Sequence, residues 1–373
     1  MIARPMVCPV EAPSDCELSC YVQDGVRVTA IARPAQSDLL VEDDRVALHF
    51  AEFVDRLRPS LIHFHCVQRL TVSVVDVART NNIPYVITVH DGFWISEHQF
   101  VIDETNTPRL FDYSDPLSVM AARGKPAYDR MMRLKPALFG AARVIAVSEK
   151  FAELHRRCGV PRVVAVENGI SDLPAINRRP AVDSRVRLAI IGGTTRHKGF
   201  ELVKSALSSR AFANLRLAVI DYAMKPGDYR VETWNTTLVD FLPKVPEARV
   251  AELYADIDVL LAPSVWPESF GLVTREALYC GCWVVASDRG SVSDCVVEGQ
   301  NGHIVDVGDT DDLIRVLTLI DRNPERYRQP VRPQPTLRRV QDQVDDLAGL
   351  YRSLIQSAER QDSRSKISPA ALA

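Results

Sequence analysis

Short apolar runs alternate with amphipathic stretches along most of the chain. Residues 27–31 (RVTAI), 61–65 (LIHFH), 85–89 (YVITV), 144–147 (VIAV) and 163–166 (VVAV) form one series. Residues 186–191 (VRLAII), 215–220 (LRLAVI), 238–241, 259–262, 283–286 and 303–305 form a second. Stretches between them, such as 71–81 and 248–254, read as helical. Strand–helix alternation predicts parallel sheets covered on both faces. Two series predict two doubly wound domains. Residues 171–184 (SDLPAINRRPAVDS), with Pro174, Pro180 and little apolar periodicity, read as the linker. Val340, Val344, Leu347, Leu350, Tyr351 and Leu354 recur at helical spacing and predict one amphipathic helix over 336–357, followed by a polar tail expected to be poorly ordered.

A length of 373 residues suits two domains, and 46% hydrophobic with 25% charged residues suits a soluble globular chain. A net charge of −3 argues against general nucleic-acid binding, and no nucleic-acid partner is expected. The eight cysteines (Cys8, Cys16, Cys20, Cys66, Cys158, Cys280, Cys282 and Cys295) form no Cys-x-x-Cys pair and fit no common zinc spacing. They read as free thiols of a reducing compartment. With no signal peptide and no apolar run long enough to span a bilayer, the expected location is the cytoplasm, with peripheral contact at the inner membrane face as an option.

Candidate chemistry concentrates at 262–302. Glu268 and Glu276 stand with seven residues between them, an apolar strand on each side, and Ser269-Phe270-Gly271-Leu272 opening a helix that carries Glu276. Backbone N–H groups at a helix start, with the positive end of its dipole, suit a diphosphate. A carboxylate on each side can accept hydrogen bonds from sugar hydroxyls, and Gly271 allows close approach to the backbone. Alone, the pair fits equally well a loop carboxylate and a charge complementing a helix N-terminus. Residues 190–199 (IIGGTTRHKG) add Gly192 and Gly193 at a strand end, with Arg196 and Lys198 as nearby positive charge.

Together these motifs resemble the donor site of family-4 retaining glycosyltransferases of the GT-B fold, and the resemblance runs from about 27 to 357. It implies an α/β chain of two doubly wound Rossmann-like domains facing each other across a cleft. Residues 1–178 would be an acceptor-side domain with an abbreviated start, 179–335 the nucleotide-sugar donor domain, 336–358 a helix crossing back to the first domain and 359–373 a tail. The implied activity moves a sugar from a nucleotide-diphospho-sugar to a glycan, lipid-linked or small-molecule acceptor in cell-surface polysaccharide or glycoconjugate synthesis. Glu276 would take the ribose hydroxyls and Glu268 the transferred sugar, with backbone from Phe270, Gly271 and Leu272. Gly192, Gly193 and Lys198 would hold the diphosphate. The family often has an arginine where Gly193 stands, and Arg196 is its candidate substitute. His90, in Thr88-Val89-His90-Asp91, would touch the sugar from the first domain. No covalent nucleophile stands out, so the resemblance implies front-face transfer without a metal or cofactor.

Other features carry less. His63 and His65 share one face of a strand and lack a third metal ligand. Asn168-Gly169-Ile170 reads as a structural turn. Asp256-Ile257-Asp258 looks like a metal-binding Asp-x-Asp but opens a strand, and reads as structural. The resemblance would pack the base on Phe241. Residues 92–135, long between a strand and the next helix, mix aromatics with Arg123, Lys125, Arg130, Arg133 and Lys135, which suits either an acceptor or anionic-lipid contact, or a solvated basic face. At the N-terminus the family's glycine loop is missing, and residues 15–24 are short for the helix expected there. Two alternatives follow: a non-catalytic nucleotide-sugar-binding subunit or degenerate transferase, and a nucleotide-sugar 2-epimerase, for which Asp91 is the only obvious acid/base carboxylate.

Overall fold

The computed structural model describes residues 2–6, 17–32, 39–173, 179, 183–331 and 337–367. Cys8, Cys16, most of the proline-containing 174–182 stretch and the last six residues of the tail lie outside the described residues. The chain divides into two compact units: residues 1–103, 107–166 and 345–373 form one, and 104–106 with 167–344 the other.

The first unit contains strands β1 (Ile2–Met6), β2 (Glu17–Gln23), β3 (Val26–Ala32), β4 (Ile62–His65), β5 (Tyr85–Val89), β6 (Arg143–Ala146) and β7 (Val163–Ala165). They make two sheets. β4-β5-β6-β7 is parallel throughout, whereas β1-β3-β2 pairs β3 parallel with β1 and antiparallel with β2. Residues 17–23 therefore supply a strand, where a helix was expected. The cause is local: Asp24 (φ 52°) and Gly25 (φ 77°) form a two-residue hairpin turn with both residues left-handed, and Gln23 pairs with Val26. Leu347, Leu350, Tyr351 and Leu354 pack on Val86, Ile145 and Val166, so an apolar stripe of the helix Val340–Ile367 completes this core. That helix runs well into the stretch read as a polar tail, where Ala, Glu, Arg and Gln favour continuation.

Residues 92–135 are not one long loop. They hold a short turn of helix (Gly92–Trp94), the helix Pro116–Arg123 and the start of the helix Lys125–Gly140. Asp115 caps the first of these, accepting from the Ser118 amide at 3.2 Å, and Pro116 follows it. Phe93, Trp94, Phe111 and Tyr113 are buried.

The second unit is one sheet of seven strands, β8 (Val186–Ile191), β9 (Leu215–Asp221), β10 (Arg230–Trp234), β11 (Thr237–Pro243), β12 (Val259–Ala262), β13 (Trp283–Ser287) and β14 (Gly302–Val305). Its order is β10-β11-β9-β8-β12-β13-β14, parallel except for the edge strand β10. Near-continuous burial of β8 and β12 reflects a sheet covered on both faces. Chain order reverses between β8 and β12: β9 to β11 continue on one side of β8, and β12 to β14 on the other. Such a switch point leaves a crevice at the carboxyl ends of the two strands.

Candidate functional site: the carboxyl ends of β8 and β12

β8 ends at Ile191 and runs into Gly192 (φ 131°) and Gly193 (φ 70°), conformations that side chains rarely tolerate. A Cβ on Gly193 would stand 2.9 Å from Asp221 Oδ1 at the end of β9, which would have to shift, and at φ 70° a side chain is strained in any case. The chain then turns through Arg196–Lys198 into Gly199, where a Cβ would meet the Pro263 carbonyl oxygen at 2.0 Å. The loops after β8 and β12 are thereby pressed together, and the Val265 amide donates to the His197 carbonyl at 3.0 Å.

This closeness brings Lys198 to Glu268. The Lys198 ammonium donates to Glu268 Oε1, and the Ser264 hydroxyl, just past β12, donates to Oε2. Glu268 is 8% exposed. Its backbone is fixed from the other side by the Ser291 amide, which donates to the Glu268 carbonyl at 2.8 Å, and by Gly290, whose Cβ would lie 2.3 Å from that oxygen. Burial first, then the Lys198 charge, pushes the His197 imidazole down to about 4; Glu268 opposes this and Arg196 adds to it, so the ring is neutral at pH 7.

Glu276 lies on the helix Leu272–Tyr279, whose N-cap is Gly271 (φ 81°) and which has no side-chain cap. Tyr254, buried, donates its hydroxyl to Glu276 Oε2 at 2.9 Å. Tyr222, just past β9, is 58% exposed; burial first, then the Glu276 charge, raises its phenol above the ordinary value. Phe270 is buried and Leu272 exposed. Arg275, 8% exposed, turns its guanidinium onto the carbonyls of Phe270, Gly271 (3.3 Å) and Ser291 (3.2 Å), and lies 3.8 Å above the Phe270 ring.

The sequence-derived residues Gly192, Gly193, Arg196, Lys198, Glu268, Phe270, Gly271, Leu272 and Glu276 therefore all fall in the second unit, on the loops after β8 and β12 and the helix that follows. Phe241 departs from expectation. It is 1% exposed, packed against Phe200 and Trp234 and covered by the Arg230 guanidinium at 3.8 Å, so it offers no face to a base. Sequence reading missed Ser264, Tyr254, Tyr222 and Arg275. Ser264 could have been noticed, because it follows a strand end; Tyr254 joins Glu276 only through the fold.

His90 belongs to the first unit, at the end of β5. Its Nε2 lies 3.0 Å from His65 Nδ1, and the His63 and His65 rings are 4.0 Å apart. His63 is held by Tyr351 and, at 2.6 Å, by Thr88 Oγ1. Burial first, then the neighbouring imidazoles, pushes His63 down to about 3 and His90 to about 4. Burial raises the Asp91 carboxyl, although Gln68, Gln99 and the Phe93 amide all donate to it. Among the described residues, no group of three or more His, Cys, Asp and Glu is placed to hold a metal. Asp258 takes bonds from Arg187, and Asp256 one from Arg179 at 2.9 Å. Gln343 binds the Asn168 side chain and the Gly169 amide, which makes that turn structural.

In the 92–135 segment, Arg123 pairs with Glu97, Arg130 donates to the Leu39 carbonyl at 2.6 Å, and Arg133 bridges Glu42 and Asp76. These cations serve internal contacts. No helix of the described residues is long and apolar enough to cross a membrane, and none of the six described cysteines forms a disulfide.

Two family models match. The glycosyl transferase 4-like domain matches residues 5–169, and the glycosyl transferases group 1 model matches 176–332. A D-inositol 3-phosphate glycosyltransferase of Thermomonospora curvata is 40% identical over 89 residues, 24% of this chain and 20% of that protein. The chain thus spans about a fifth of the length of that relative. The sucrose-phosphate synthase of Thermosynechococcus elongatus aligns with a TM-score of 0.65 at 18% identity, covering 95% of this chain and 89% of that one. HepE of Anabaena, solved in complex with UDP-glucose, aligns at 0.54 and 16% identity, covering 86% and 82%. At those identities the structures speak to fold alone, a GT-B fold, and with two family models that together match most of its length the chain belongs to the family-4, group 1 glycosyltransferases.

Proposed function

We propose that this protein is a retaining glycosyltransferase that takes its sugar from a nucleotide-diphospho-sugar. The observation that carries the reading is the Lys198–Glu268–Ser264 cluster at the switch point, with the bare helix start at Gly271 and the Glu276 carboxylate beside it. A diphosphate needs cations and backbone N–H groups; a ribose and a hexose need acceptors for their hydroxyls. All four are available within one unit. Glu276, oriented by Tyr254, would take the ribose, and the exposed Tyr222 ring would stack on the base in place of Phe241. Lys198 and Arg196 would offset charge developing on the leaving diphosphate, and Glu268 would bind sugar hydroxyls.

No side chain is assigned as a covalent nucleophile. The departing phosphate oxygen would help take the acceptor proton on the face from which it leaves, without an obligatory metal. His90 is the proposed contact from the first unit. A glycan or lipid-linked acceptor, a role in cell-surface glycoconjugate synthesis and peripheral membrane contact belong to the same reading. The similarity to a D-inositol 3-phosphate glycosyltransferase and the UDP-glucose held by HepE support the substrate class.

The test is isothermal titration with UDP, GDP, ADP and their sugars, with and without EDTA, repeated on Glu276→Ala. Selective binding weakened at least about tenfold by the substitution is expected, as loss of a hydrogen bond to a charged group costs about 1.5–3 kcal/mol. No binding to any nucleotide by the wild-type protein would end the proposal. Binding without transfer or donor hydrolysis would favour a partner subunit instead.

A further inference from the structure

Arg275 follows an unusual course for a residue adjoining Glu276. Rather than reaching solvent, its guanidinium turns back beneath the helix start and donates to three main-chain carbonyls, those of Phe270, Gly271 and Ser291. The first two belong to the peptide units that precede the helix Leu272–Tyr279. A trans peptide is planar, with its C=O and N–H pointing in opposite directions. A cation that holds the carbonyls of Phe270 and Gly271 on one side therefore aims the N–H groups of Gly271 and Leu272 to the other. The third bond ties the same guanidinium to the 290–292 turn, which in turn holds Glu268 through the Ser291 amide.

We infer that Arg275 is a positioning residue that sets the peptide planes at 270–272, and with them the backbone donors offered to the donor's diphosphate-sugar. The inference rests on the nucleotide-sugar reading above. All three bonds come from one nitrogen, Nη1, whose two N–H groups are shared among the three carbonyls, while Nη2 faces Asp294. Stacking on the Phe270 ring at 3.8 Å fixes the guanidinium plane, and the Asp294 carboxylate at 4.0 Å balances its charge. Gly271 must be glycine for the same arrangement, since its φ is 81° and a Cβ would lie 2.8 Å from the Val292 Cα.

The surroundings make the inference testable by substitution. Arg275 lines a cavity of about 390 Å³ within the second unit, together with Glu167, Asn168, Phe270, Cys295 and Arg338. A small cation from solution can enter where the side chain is cut away. We would compare wild type, Arg275→Ala, Arg275→Lys and Arg275→Gln, using whichever of UDP-glucose, GDP-mannose and ADP-glucose the wild type binds best. The readouts are donor KM and Kd, acceptor KM and kcat, with and without millimolar guanidinium, and the thermal midpoint as a check that the protein is folded.

A rise of tenfold or more in donor KM and Kd is expected in Arg275→Ala, with acceptor KM unchanged. Guanidinium should restore much of the donor affinity. Arg275→Lys should be only partly impaired. A folded Arg275→Gln or Arg275→Ala with wild-type donor affinity would overturn the assignment, as would donor and acceptor KM rising together with no guanidinium rescue, which marks a merely structural role. Absence of donor binding by the wild type would instead refute the nucleotide-sugar reading itself.

Discussion

Replacing Lys198 by Met tests the centre of the site. Glu268 is 8% exposed and has two side-chain donors, Lys198 and Ser264. Removing the ammonium leaves a buried carboxylate with Ser264 alone. A hydrogen bond to a charged group is worth about 1.5–3 kcal/mol, and breaking a fully buried ion pair costs about 3–5 kcal/mol. The Lys198 side chain is 26% exposed, so water tempers the loss toward the lower range. We expect about 2 kcal/mol of destabilisation in the second unit. For a unit of this size that is a fall of about 4–8 °C in its melting transition. Glu268→Gln removes the stranded charge, so the double variant should be more stable than Lys198→Met alone, with a coupling of at least about 1 kcal/mol. Differential scanning calorimetry of the four proteins measures it. Costs that add to within about 0.3 kcal/mol would refute the claim that this pair is coupled in the folded state. Sugar transfer should stay lost in the double variant, because the lysine is proposed to act on the diphosphate as well.

Three further outcomes are expected. Tyr222→Ala should weaken binding of nucleotides several-fold, since base–aromatic stacking is worth about 1–3 kcal/mol per base, yet leave the melting temperature unchanged because the ring is 58% exposed; equal affinity in a titration would exclude it as the base platform. Gly199→Ala should fail to accumulate as folded protein, since its Cβ would overlap the Pro263 carbonyl oxygen at 2.0 Å and φ is 80°, and a soluble variant with a wild-type thermal midpoint would contradict that packing. Acidification should destabilise the protein between about pH 6.5 and 4: His63, His90, His155 and His197 have folded pKa values pushed below the ordinary 6.5, to about 3 for the first and about 4 for the others. The unfolded chain then binds protons that the folded one excludes, so stability is complete above 6.5 and is lost as pH falls through the folded values. His63→Gln should flatten the slope of stability against pH, and an unchanged slope would count against a neutral buried His63.

The second unit was legible because its strands are buried on both faces, and runs such as VRLAII and VLLA announce themselves without any partner being known. Gly193 and the Glu268–Glu276 spacing were legible as local patterns: a strand-end turn in the left-handed region, and two carboxylates flanking a helix start. What escaped notice depends on long-range placement or on turn chemistry. Tyr254 meets Glu276 because the helix Val250–Ala255 brings it to the helix Leu272–Tyr279. β10 was overlooked because RVETW is polar along an exposed edge and needs the Asn235 turn (φ 53°) to pair with β11. β2 was hidden by the template of the resembled family, which places a helix there; the Asp24-Gly25 hairpin signal stood in the sequence all along.

The helix Val340–Ile367 has a consequence for biosynthesis. The strands β5 and β6 are made early, yet the side chains that cover them at Val86 and Ile145 arrive with Leu347, Leu350, Tyr351 and Leu354. Until the ribosome has released that stretch, Val86 and Ile145 wait without those partners. Contacts so distant along the chain slow folding and expose apolar surface meanwhile. The second unit, contained almost wholly within residues 167–344, has no such wait. A nascent chain stalled before residue 345 should therefore carry a finished second unit and an unfinished first one, with the later-made half of the molecule folding ahead of the earlier.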